Sequence, residues 1–209
     1  MKHIFSQPIK LKKVIIILLV CPLVLLTAAA CGKSGAGSAN SAAAAETAGE
    51  AWSDSGATVW ELGIDTVTLD GEPITHEAFA ENDLTVLNIW ATWCPPCVRE
   101  LPHLQEVSAR FKDRGVQIVG VLQDGVTAAG APAGDVIESA KTLLQTTGAA
   151  YTMILPDETI TLNLIAKMQY FPTTFFINAK GEVVETVIGA NDADSWEETI
   201  NAVLADISQ

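Results

Sequence analysis

The chain has 209 residues, with 25 acidic against 12 basic side chains and a formal charge of −13 at neutral pH. That balance disfavours nucleic acids and anionic lipid surfaces as partners, since both recruit lysine and arginine. Once the N-terminal segments are set aside, roughly 150 residues remain, enough for one core that needs no disulfide staple.

Lys2, His3, Lys10, Lys12 and Lys13 make a positive start, and 14–30 (VIIILLVCPLVLLTAAA) is almost wholly apolar. This is the layout of a secretory signal peptide over 1–30. The stretch TAAAC resembles a bacterial lipobox with Cys31 as the lipidation site, although Ala28 stands where such boxes usually carry leucine. An uncleaved anchor or a freely secreted product are the alternatives, and the apolar run is barely long enough to span a bilayer. All three place the rest of the chain outside the cytoplasm; lipid at Cys31 would hold it at the outer face of a bacterial cytoplasmic membrane. Removing 1–30 takes away four lysines and no acids, which leaves eight basic residues and a formal charge of −17. Residues 31–58, rich in Gly, Ala and Ser, read as a flexible tether.

The remainder, 59–209, reads as one domain. Residues 65–69 and 72–75 around Asp70-Gly71 predict an N-terminal β-hairpin, followed by a short helix over 76–80. The run 84–91 (LTVLNIWA) suits a strand buried on both faces. It leads directly into WCPPC. Residues 95–111 carry apolar positions at helical spacing, with Pro102 expected to kink the helix. Strands follow at 116–122, 151–155, 173–178 and 183–188, the last edge-like. Helices are expected from Asp135 to about 147, from Asp157 to about 168, and from Asp192 or Asp194 to about 206. The loop 123–134 interrupts this alternation. Helices alternating with strands, then a hairpin and a helix, predict an α/β domain with a central mixed sheet flanked by helices.

Cys94 and Cys97 are the two cysteines of that domain. A bridge between them closes too short a loop to constrain an unfolded chain much. A zinc site needs more ligands than His76 and His103 supply, so no metal is assigned. Placed between a buried strand and a helix, Cys94 sits where partial positive charge and free amides favour a thiolate. Cys97 lies one turn on, where it can resolve a mixed disulfide. Redox exchange is the chemistry these residues favour.

WCPPC after an apolar strand, Pro102 in the helix, and Phe171-Pro172-Thr173-Thr174 before a later strand resemble the thioredoxin superfamily, in particular its extracytoplasmic TlpA/ResA-like (redoxin) branch. The resemblance implies a cis Pro172 against the disulfide, with Phe171, Pro172, Thr173 and Trp93 forming the substrate-binding surface. It implies reduction of disulfides in exported client proteins, with apocytochrome c or a methionine sulfoxide reductase as candidates. It also implies recharging by a membrane thiol electron donor of the CcdA/DsbD type, without a cofactor. Asn88 stands where cytoplasmic thioredoxin has a buried aspartate. Glu100 matches an acid that ResA-like proteins carry near the site, either as a proton donor and acceptor for Cys97 or as a solvated helix residue. Trp90 is read as core, Thr92 and Arg99 as rim, and His103 as surface without a role. Pro95-Pro96 offers no N–H to the Cys94 sulfur, which favours a reductant over a disulfide-forming oxidase. A binding or copper-delivery module without turnover is the rival from another class.

Overall fold

The computed structural model describes residues 58, 59 and 63–208. The signal segment over 1–30, the lipidation position Cys31 and the tether up to residue 57 lie outside the described residues.

The N-terminal hairpin pairs β1 (Asp65–Val67) with β2 (Pro73–Thr75) in antiparallel register, Thr66 opposite Ile74. Gly71 in its turn has φ 85°, a left-handed conformation that glycine adopts without a Cβ penalty. The Leu155 N–H reaches the Val67 carbonyl at 3.0 Å and the Leu69 N–H reaches the Met153 carbonyl at 3.1 Å, so the hairpin docks on the edge of the main sheet. A short helix α1 (Glu77–Ala80) follows.

The main sheet contains β3 (Leu84–Trp90), β4 (Val116–Leu122), β5 (Thr152–Ile154), β6 (Thr173–Asn178) and β7 (Val183–Ile188) in the order β5-β4-β3-β6-β7. β3 runs parallel to β4, and β4 to β5, while β6 is antiparallel to both β3 and β7. This is the expected mixed sheet, with β7 at an edge. The long helices are α2 (Pro95–Phe111), α3 (Gly134–Thr147) and α5 (Ala193–Ile207), with the short α4 (Glu158–Asn163) between β5 and β6.

Side chains alternate across the strands and so feed two cores. Leu84, Val86 and Trp90 pack with Leu101, Leu104 and Val107 of α2, Ile137 of α3 and Trp196 of α5. Leu87 and Ile89 face the other way, toward Phe79 of α1 and Ile160 of α4. The five apolar residues of β3 are all at most 1% exposed. At about 1.5–3 kcal/mol for each such side chain, they stabilise the strand by on the order of 10 kcal/mol. Its carboxyl end is therefore a firm platform for the cysteine segment.

Two helices differ from the sequence expectation. Asp135 does not cap α3: Ala133 holds the cap position without a side-chain bond, and Asp135 lies inside the first turn. The helix begun at Asp157 stops at Asn163 and resumes only as a 3₁₀ turn, Ile165–Lys167. Asp157 itself does cap, accepting the Ile160 N–H at 2.7 Å. α5, capped by Asp192 through the Ser195 N–H at 2.9 Å, runs to Ile207.

Candidate active site

β3 ends at Trp90, and four residues later Cys94 is the N-cap of α2, with φ −99° and ψ 98°. Pro95 and Pro96 occupy the first helical positions, where a missing N–H costs nothing because those donors have no intrahelical partner. The helix continues through Pro102 to Phe111. The first free donor of the turn, the Cys97 N–H, reaches the Cys94 sulfur at 3.3 Å. Cys94 and Cys97 form a disulfide with Cα atoms 5.3 Å apart.

In this disulfide form Cys94 is 3% and Cys97 1% exposed. The N-cap conformation turns the Cys94 side chain back over the first turn, where it is held by the bond to Cys97 and by the Cys97 N–H. Trp93, by contrast, is 61% exposed and stands edge-on to Phe171, ring centroids 5.4 Å apart.

Phe171 lies just before β6 and is joined to a buried Pro172 by a cis peptide bond. The Pro172 carbonyl accepts the Gly189 N–H at 2.9 Å, and Thr173 donates its hydroxyl to the Tyr170 carbonyl at 2.8 Å. Because β6 pairs antiparallel with β3, Thr173 lies opposite Ile89 and the Phe171-Pro172 segment reaches the same end of the sheet as the cysteines. On the other side, the half-buried Thr92 donates its backbone N–H to Asp124 Oδ1 at 3.2 Å and its hydroxyl to Asp124 Oδ2. Asp124 belongs to the 3₁₀ turn Gln123–Gly125 at the end of β4.

Glu100 is 1% exposed, which rules out the solvated alternative. Its Oε1 accepts the Asn191 backbone N–H at 2.8 Å and the Trp196 indole N–H at 3.1 Å, and its Oε2 accepts Asn88 Nδ2 at 3.1 Å. The second hydrogen of Asn88 Nδ2 goes to Thr174 Oγ1 at 2.9 Å. Burial pushes the Glu100 carboxyl up to about 7, and the three hydrogen bonds pull against that rise. A carboxyl whose proton affinity is raised to near neutrality therefore sits one helical turn beyond Cys97. Trp90 is fully buried, as expected, and Arg99 is exposed.

Sequence reasoning missed Asn191, Trp196 and Asp124, and named Thr174 in its motif without the bond from Asn88. Trp196 carries only the signal of an apolar helix face, and nothing local to 191 or 124 points toward a site formed around ninety or thirty residues away.

The family model described as Redoxin matches residues 41–204. The thiol-disulfide oxidoreductase ResA of Oceanobacillus iheyensis is 32% identical over 56% of this chain, and the match spans 56% of that relative's own length. The thiol:disulfide interchange protein DsbE of Haemophilus influenzae is 26% identical over 69% of this chain and 72% of its own. Among solved structures, a thiol:disulfide interchange protein of the thioredoxin family from Chlorobium tepidum superposes with a TM-score of 0.55. It covers 68% of this chain and 93% of that one at 23% identity, which establishes the shared thioredoxin fold.

Proposed function

The chain belongs to the Redoxin family, and on that premise we propose that it is a thiol-disulfide oxidoreductase that reduces disulfides in exported client proteins. The observation that carries this reading is the Cys94–Cys97 disulfide at the N-terminus of α2.

In the reduced protein the Cys94 thiolate attacks one sulfur of a client disulfide, and the other client sulfur leaves as a thiolate. The Cys97 thiolate then attacks Cys94 and expels the second client sulfur, so two electrons pass to the client and Cys94–Cys97 is left oxidised. Glu100 takes the proton of the Cys97 thiol as that sulfur becomes a nucleophile, and returns it when the dithiol is regenerated. Trp93, Phe171, Pro172 and Thr173 form the surface on which a client segment lies. The reductive direction is supported by Pro95 and Pro96, which leave the Cys97 N–H as the donor to the Cys94 sulfur. A strong oxidant needs a better stabilised thiolate.

Electrons come from a membrane thiol donor of the CcdA/DsbD type, and the client is an apocytochrome c or a methionine sulfoxide reductase. Cleavage after residue 30 with lipid on Cys31 would keep the domain at the outer face of the cytoplasmic membrane. The test is capture in cells: Cys97→Ser should accumulate disulfide-linked adducts on Cys94, visible on non-reducing gels and lost on reduction. Recovery of no adduct, with the variant folded and exported, would overturn the redox assignment.

A further inference from the structure

If Glu100 moves the proton of Cys97 in the oxidoreductase cycle, the groups that hold Glu100 decide when it can do so. Its carboxyl faces N–H donors from three parts of the chain: Asn88 of β3, the backbone of Asn191, and Trp196 of α5. None of these N–H groups can accept a proton, so the cradle is built for the carboxylate and works against burial. An indole N–H is a donor only, and Trp196 is fully buried with its ring tilted against Phe176 at 6.1 Å. Its single polar atom therefore has one use, which is to hold Oε1 of Glu100.

The other titratable groups around the carboxyl are few. On α2, Cys97 is tied up in the disulfide, and the charge of His103 acts on Asp192. The buried hydroxyl of Tyr151, just before β5, is raised well above its ordinary range first by burial and then by the Glu100 charge. Ahead of α5, the exposed Asp192 is held low by the Ser195 N–H that it caps.

We propose that Trp196 is a positioning residue for Glu100, its indole N–H fixing the carboxylate and setting the pH range over which the site passes a proton. The last helix thereby takes part in the chemistry of a dithiol on the second.

Trp196→Phe removes the N–H and keeps a large ring in the core. Titration of a ¹³C-labelled Glu100 carboxyl by NMR in the oxidised protein should show its midpoint raised by about one pH unit, a tenfold change in proton affinity. The acid limb of disulfide exchange should move up with it. In the unsubstituted protein, the Trp196 indole N–H resonance should shift with the same midpoint as Glu100. This second reading decides the matter even where the variant does not fold. An unmoved Glu100 midpoint in the variant, or an indole resonance that stays flat while Glu100 titrates, overturns the proposal. Those outcomes leave the oxidoreductase reading standing if exchange persists. Absence of exchange in the unsubstituted protein removes that reading, while the NMR midpoints still show whether Trp196 holds the carboxylate.

Discussion

Replacing Glu100 by glutamine should abolish one pH-dependent loss of stability that the fold carries. In the native protein the carboxyl titrates at about 7, against 4.5 for the ordinary group. The folded state thus binds this proton more tightly than the unfolded chain, and the neutral carboxyl is the form that suits burial. Below the unfolded value both states are protonated and the site costs nothing. Above it, the unfolded chain gives up the proton first, and stability is lost steadily until pH passes about 7. At about 1.4 kcal/mol for each tenfold change in proton affinity, the full loss is about 3 kcal/mol. Glutamine cannot ionise, and the cradle can accept it. A flip of the Asn88 amide would turn Oδ1 toward both the new amide N–H and the Thr174 hydroxyl, each able to donate to it. The assay is urea unfolding of both proteins, disulfide intact, across the acid-to-neutral range. The difference in unfolding free energy, in which other groups cancel, should tilt toward the variant by about 3 kcal/mol as pH rises through the two midpoints. A difference that stays level with pH would refute burial as the source of the raised carboxyl.

Trp93→Ala, at a side chain 61% exposed, should change unfolding free energy by no more than about 0.5 kcal/mol while lowering kcat/KM for client disulfides; equal kinetics would remove Trp93 from the client surface. Asp124→Ala strips Thr92 of its backbone and hydroxyl partners and should cost about 1–3 kcal/mol in urea unfolding, with no loss meaning that water replaces the carboxylate. The reduction potential of Cys94–Cys97, read by equilibration with glutathione, should fall nearer the roughly −270 mV of thioredoxin than the roughly −120 mV of strong periplasmic oxidants. A value at the oxidising end would reverse the proposed direction.

Much of this molecule is dictated by order along the chain. The bounds of α2, β4, β6 and β7 agree with those read from periodicity and punctuation. Prolines at a helix start, glycines at turns and β-branched runs act within a few residues of themselves. The same locality explains the misreadings. Asp135 looks like a cap, yet the chain enters α3 one residue earlier, at Gly134. The helix after Asp157 breaks at Leu164, which is 1% exposed and packed in the core beneath the sheet, a demand that local propensity does not register.

The dithiol, its helix N-terminus and the Phe171-Pro172 segment were legible because each is a short motif whose chemistry is carried by adjacent residues. The environment of Glu100 was not. Its position one turn beyond Cys97 is set by spacing, but its burial depends on β3 lying under α2 and on α5 closing over both. The donors at Asn191 and Trp196 stand 91 and 96 residues away. A carboxyl's proton affinity depends on what surrounds it in space, and only packing of the helices on one face of the sheet brings those donors and the apolar wall to Glu100.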